Sequence, residues 1–200
     1  MRRWSIALVL VALLPAAGRA QTPWRLTAEV GGTGFTEAFH DSSTPTISAG
    51  AWRPRMYTLR LTGRLAGVGV GLGASLAKSG MGGGDGSSFV LIFTDQLVLF
   101  ELAPEVRIPL GRGASGVELL AHAGPVWDHW SLSGEPGRSR LGGQAGMTLS
   151  FPLGEAWRTD LRADVAISGS FVNDDETGPD VRRPGSMRRH RLALGISRRL

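Results

Sequence analysis

The sequence predicts an all-β fold: eight antiparallel strands in up-and-down order, closed into a transmembrane barrel and preceded by a signal peptide. Three observations lead there. Residues 157–171, WRTDLRADVAISGSF, place Trp157, Thr159, Leu161, Ala163, Val165, Ile167, Gly169 and Phe171 on one face, with Arg158, Asp160, Arg162, Asp164, Ala166, Ser168 and Ser170 on the other. Fifteen residues at period two make one long strand, because successive strand side chains point to opposite faces. The connections between such segments alternate long and short, as an up-and-down membrane barrel with tight turns at one end and longer loops at the other requires. Finally, the polar face is built from Arg, Asp and Glu of mixed sign, with a single Lys, Lys78, in the whole chain. A soluble sandwich wets its polar face and usually carries many Lys there. Arg pairs bidentately with carboxylates and tolerates enclosure, which suits the inside of a narrow tube.

The first twenty residues read as a secretory signal peptide. Arg2 and Arg3 form the positive end and residues 6–14, IALVLVALL, the apolar stretch. Pro15 breaks it, and Gly18-Arg19-Ala20 offers a small-residue cleavage site. The apolar run falls short of the ~20 residues a spanning helix needs. The expected division is therefore 1–20 signal peptide and 21–200 barrel. The formal charge is +5, but setting aside Arg2, Arg3 and Arg19 leaves 19 basic residues against 17 acidic ones, interleaved along the chain. That excludes the basic patch of a nucleic-acid binder. There is no Cys, so neither a disulfide framework nor a thiolate metal site is open to the chain. No cofactor is expected.

Along the mature chain, residues 24–35 alternate Trp24, Leu26, Ala28 and Val30 against Arg25, Thr27 and Glu29. After a polar loop, strand pattern runs over 47–62, with Tyr57, Leu59 and Leu61 opposite Thr58, Arg60 and Thr62. Pro54 predicts an irregularity there, since it cannot donate to a ladder. Residues 63–66 read as a tight turn. Residues 67–76, GVGVGLGASL, set Val68, Val70, Leu72, Ala74 and Leu76 against Gly67, Gly69, Gly71, Gly73 and Ser75. This is no phosphate loop, because the glycines recur at period two and no helix pattern follows. Glycines on one face leave room for large side chains inside a narrow barrel. Residues 79–88 read as a loop. Residues 89–93, FVLIF, are apolar on both faces and fit either the top of a long strand or a piece of loop.

Alternation resumes over 97–110, with Val98, Phe100, Leu102, Val106, Ile108 and Leu110 opposite Glu101, Ala103, Glu105 and Arg107. Residues 117–131 oppose Val117, Leu119, Ala121, Ala123 and Trp127 to Glu118, His122, Gly124 and Asp128. Residues 140–153 oppose Leu141, Ala145, Met147, Leu149 and Phe151 to Arg140, Gln144, Thr148 and Ser150. The last strand, 187–200, opposes Leu192, Leu194, Ile196 and Leu200 to Arg189, Arg191, Ser197 and Arg199. The expected lumen network is Arg25, Glu29, Arg60, Glu101, Glu105, Arg107, Glu118, Asp128, Arg140, Arg158, Asp160, Arg162, Asp164, Arg189 and Arg191. Eight strands enclose a space that such side chains can fill. His122 is expected among them. Trp24, Phe151 and Trp157 at the short-turn end and Trp127 and Phe171 at the other are expected as two interfacial girdles. Trp157 to Phe171 spans about 46 Å of strand, or about 33 Å of height at a tilt near 45°.

The mature chain resembles the small eight-stranded outer-membrane barrels typified by OmpA and OmpX. The likeness lies in its alternation and in pieces such as LAPEVRIPLG (102–111) and RLGGQAGMTLSFPLG (140–154). It implies residence in the outer membrane of a diderm bacterium, contact with lipid and lipopolysaccharide, and insertion by the barrel-insertion machinery. Family members usually end in an aromatic residue; this chain ends LALGISRRL, with Leu200 last and Arg198 interrupting the apolar face. His129-x-Ser131 beside Trp127 resembles the His-x-Ser pair of small-barrel lipid A deacylases, with Glu135 as a third member. That family continues with Asn where this chain has Leu132. The acidic segment 173–180 lacks calcium-loop spacing. Arg182, Arg183, Arg188 and Arg189 fall near the outer rim, where they can meet lipopolysaccharide phosphates. The expected function is non-enzymatic: a structural or interacting outer-membrane barrel with a charged, filled lumen and no large pore. The alternatives are a lipid A acyl hydrolase using His129 and Ser131, and a soluble periplasmic ligand carrier.

Overall fold

Period two in the sequence becomes eight long strands paired edge to edge into a ring. A computed structural model describes residues 23–36, 39–41, 47–84, 89–132, 136–170, 181–182 and 186–200. The signal segment, Glu135, Phe171, Arg183 and the acidic stretch 173–180 lie outside them. The strands are β1 Arg25–Phe35, β2 Phe39–Asp41, β3 Ile47–Leu65, β4 Val68–Gly84, β5 Phe89–Arg112, β6 Glu118–Leu132, β7 Arg138–Pro152, β8 Trp157–Gly169, β9 Val181–Arg182 and β10 Ser186–Arg199. The pairing order is β1-β10-β8-β7-β6-β5-β4-β3, all antiparallel, and β3 returns to β1 through Arg25↔Thr62 and Ala28↔Leu59. That pairing closes the barrel and leaves no long free edge. The short β2 and β9 pair at the loop end and extend β3. They fall in segments expected to be loops.

Two expectations need correction. The first tight turn is not 63–66. Leu65 pairs with Val68, so the hairpin turns on Ala66 and Gly67, with φ of 51° and 85°. Two positive φ values give the turn whose twist matches the flanking strands. Residues 79–84 are not loop either. They continue β4, because Gly83 and Gly84 pair with Val90 and Phe89. The same pairing places 89–93 in β5, a strand of 24 residues. The irregularity expected at Pro54 is present, as a register shift between Trp52 and Arg55.

The two faces divide sharply. Outside lie Leu26, Val30, Tyr57, Leu59, Leu76, Val106, Ile108, Met147, Leu161, Val165 and Ile167, all exposed, with Leu141 77% and Leu192 60% exposed. Trp157 to Ile167 is ten rises, about 23 Å of height at a tilt near 45°, matching the roughly 25 Å apolar band of a membrane barrel. This is no two-layer stack with its apolar side sealed within.

Inside, two layers follow one another. Toward the short turns the enclosed side chains are mostly charged or polar. Toward the loops Met56, Leu97, Leu99, Trp130 and Met187 are buried together with Ala51 and Ala77. Phe35 meets Trp130 edge to face at 5.4 Å. Val126, Ala103 and Ala166 form a smaller apolar patch.

Candidate functional site: the lumen and its surfaces

The inward positions of six strands converge on one chain of charges. Arg60 of β3 donates from Nε to Glu29 Oε1 at 2.7 Å and from Nη1 to Glu105 Oε2 at 2.8 Å. Arg162 of β8 donates from Nη2 to the same Glu105 oxygen at 2.6 Å and from Nε to Asp164 Oδ2 at 3.0 Å. Arg191 of β10 donates from Nε to Asp164 Oδ2 at 2.8 Å, and its Nη1 lies 3.9 Å from Glu101 Oε1. Arg189 pairs with Glu101 and reaches Asp128 Oδ1 at 3.3 Å. His122 Nε2 meets Asp164 Oδ1. The chain thus runs Glu29, Arg60, Glu105, Arg162, Asp164, Arg191, Glu101, Arg189, Asp128. Hydroxyls finish it: Ser75 donates to Glu101 at 3.1 Å and Arg191 donates to Thr58 at 3.2 Å.

Local sequence makes this packing possible. On the inner face of β4, a Cβ on Gly71 would lie 2.9 Å from Glu105 Oε1, and one on Gly73 would lie 2.8 Å from Arg60 Nη1. The charged ends occupy the space that side chains on β4 would take.

The remaining sequence candidates lie elsewhere. Arg158 donates to Ser150 Oγ at 2.8 Å and to the Gly116 carbonyl at 2.8 Å, with Glu118 at 3.8 Å. Asp160 accepts from Ser150. Arg140 donates to the Ser170 carbonyl at 2.6 Å. Arg107 Nε lies 3.6 Å from Glu105. Arg25 faces the short-turn mouth, and its Nη1 has no hydrogen-bond partner. Arg189 is enclosed and paired, so it is not one of the rim cations with which it was grouped.

On the outer surface, Trp24 lies over Gly63, whose Cβ would fall 2.6 Å from the ring. Trp157 carries Arg198 at 5.5 Å from its centroid, which gives the cation interrupting the last apolar face an aromatic partner. Phe151 is half-buried nearby. Trp127 meets Phe100 at 6.0 Å and stacks on His129 at 5.8 Å. The His129 ring meets Ser139 Oγ of β7 at 3.0 Å. The hydroxyl at this histidine is therefore the cross-strand Ser139, where the sequence suggested Ser131; their pairing register sets it opposite. Among the described residues no cluster of His, Asp or Glu side chains is arranged to hold a metal ion.

Alternation in sequence assigns residues to a face but does not pair them; the contacts above depend on strand register and closure. The enclosed apolar layer was missed, although Leu97 and Leu99 share the parity of Glu101 and could have revealed it.

No protein-family model and no curated protein matches the chain. Among solved structures it is similar to Neisserial surface protein A, with a TM-score of 0.58 at 11% identity, covering 88% of this chain and 97% of that one. It also aligns with the N-terminal β-barrel domain of Pseudomonas aeruginosa OprF, with a TM-score of 0.49 at 10% identity over 88% and 97% of the two chains. Ail of Yersinia pestis aligns with a TM-score of 0.48 at 12% identity over 89% and 99%. With the first of these as its basis, the chain has the fold of the small eight-stranded outer-membrane barrels.

Proposed function

We propose that this protein is an outer-membrane barrel of structural or interacting type, not an enzyme, whose lumen is closed to solutes. Residues 1–20 direct export and are removed, and the barrel-insertion machinery places the remainder in the membrane. The observation that carries this reading is the stack inside the barrel. A continuous Arg–carboxylate layer fills the middle, and the Met56, Leu97, Leu99, Trp130 and Met187 layer covers it toward the loops. The charged layer fills its space with paired guanidinium and carboxylate groups, and the apolar layer offers ions little in place of their hydration. Reconstitution into planar bilayers is expected to give no steady channel current. A large, stable conductance would overturn the reading.

The outer face supports the proposed lipid partner. Arg55, Lys78, Arg188 and His190 all point outward and are exposed. They sit on β3, β4 and β10, which with β1 form one contiguous side of the barrel. On β1, between them, Gly32 and Gly34 leave open space above the sheet. The described outward positions at this height hold no carboxylate. From Arg188 to Arg198 is ten rises, so these cations mark the upper border of the apolar belt as Arg198 and Trp157 mark the lower. Cations at that border fit the phosphates of outer-leaflet lipopolysaccharide. Each cation near an anionic surface contributes about 1 kcal/mol. The Arg55→Gln/Lys78→Gln/Arg188→Gln variant should therefore retain at least about tenfold less lipopolysaccharide on purification, while folding equally well in phosphatidylcholine vesicles. Equal retention would remove these residues as the contact.

A further inference from the structure

At the short-turn end the lumen opens into a cavity of about 870 Å³ whose charges do not balance. Arg25, Arg64, Arg107, Arg112 and Arg158 line it, against the carboxylates of Glu118 and Asp160. Two carboxylates thus stand against five guanidinium groups, and one of the two is already paired. Glu118 pairs with Arg112 and lies 3.8 Å from Arg158, and Asp160 accepts from Ser150. Arg158 is held further by Ser150 and the Gly116 carbonyl.

Arg25, Arg64 and Arg107 are left facing the cavity. Arg25 Nη1 and Arg107 Nε are shut off from solvent without a hydrogen-bond partner. The carboxylate oxygen near Arg107 Nε, Glu105 Oε1 at 3.6 Å, already accepts from Arg162 Nη1 at 3.3 Å.

Between these guanidinium groups the β4 wall is bare, its inward positions being Gly69 and Gly71. Arg25 of β1 stands opposite Thr62 of β3, Thr62 opposite Gly71 of β4, and Gly69 of β4 opposite Arg107 of β5. A Cβ on Gly69 would fall 2.5 Å from the Arg107 carbonyl oxygen and 3.2 Å from its Cβ, so any other residue there displaces Arg107. The result is a cradle with planar donor forks at both sides, the small Thr62 between them on β3, and no side chain on β4. Guanidinium forks match the oxygens of phosphate and carboxylate groups. Excess positive charge behind low-dielectric walls concentrates anions at the mouth.

We propose that this mouth is a binding site for a small multivalent oxyanion, held between Arg25 and Arg107 with Arg64 at the rim. The recognised chemistry is phosphate or carboxylate, from a soluble periplasmic solute or from the headgroup of an inner-leaflet phospholipid. The site lies below the charged layer, so its failure would leave the closed-lumen reading standing, and the converse holds.

The test uses the full mature chain folded in a nonionic detergent and titrated calorimetrically with pyrophosphate at low salt. Saturable one-to-one binding is expected. The Arg25→Gln/Arg107→Gln variant should bind at least tenfold more weakly, whereas Arg55→Gln, on the outer face, should bind as the native chain does. Gly69→Ala keeps every charge and pushes Arg107 aside, and it should also weaken binding, which covers the case in which the double variant does not fold. Repeating the titration in phosphatidylcholine vesicles with and without phosphatidylglycerol separates the two sources. Competition by phosphatidylglycerol assigns the site to a headgroup, and its absence assigns it to a solute; either result upholds the site. No saturable binding by the native chain, or undiminished binding by folded Arg25→Gln/Arg107→Gln and Gly69→Ala, would overturn it.

Discussion

Glu105→Ala is expected to lower the unfolding free energy of the refolded barrel by about 3–5 kcal/mol, the cost of breaking a buried ion pair from one side. Glu105 has no exposed side-chain surface, and Arg60 and Arg162 are 2% exposed. Its Oε2 accepts from both arginines, at 2.8 Å and 2.6 Å, and Arg107 approaches Oε1. Without it, three guanidinium groups face one another with Glu29 and Asp164 as their remaining carboxylates. Glu29→Ala removes a partner of Arg60 alone and should cost less. Replacing Arg60, Glu105 and Arg162 together with apolar residues of similar volume should recover most of the loss, because the desolvation penalty disappears with the charges. Urea titration of the barrel in vesicles, followed by tryptophan fluorescence, reads all three. A Glu105→Ala unfolding free energy within about 1 kcal/mol of the native value would mean that water screens this layer as it does a surface pair, and the closed lumen would fall with it.

How far the fold could be read from the chain follows from what period two encodes. It states which residues share a face, and for Leu26 to Val30, Tyr57 to Leu61 and Leu192 to Ile196 the faces are as read. It does not state where a strand stops when side chains vanish. Residues 79–84 carry four glycines and looked like loop, yet the backbone ladder to β5 holds them. Residues 89–93 are apolar on both faces, and no alternation in them could locate them. Nor does parity name partners. Leu97 and Leu99 were on the inner side by count, but their meeting with Met56, Trp130 and Met187 depends on strand register. His129 shows the same limit: its neighbour in sequence is Ser131, but the neighbour its ring meets is Ser139.

Leu194→Arg tests which side of the sheet meets hydrocarbon, and its effect should depend on depth. Leu194 lies mid-strand on β10, 57% exposed, with Val30 and Leu161 opposite it on the flanking strands. A soluble reading makes it a surface position, where a charged residue usually changes stability by no more than about 0.5 kcal/mol. At the midplane of a bilayer, Arg on the outer face costs about 2–4 kcal/mol, falling to about 0–1 near the interfaces. The same strand supplies its own controls. His190→Arg, four residues toward the loops, should cost little. Native Arg198, four residues the other way, already lies over the Trp157 ring. Reversible guanidinium unfolding in phosphatidylcholine vesicles should therefore give a profile that peaks at 194. A flat profile across 190 and 194 would put this face in water, and the outward apolar belt could not then be a membrane surface.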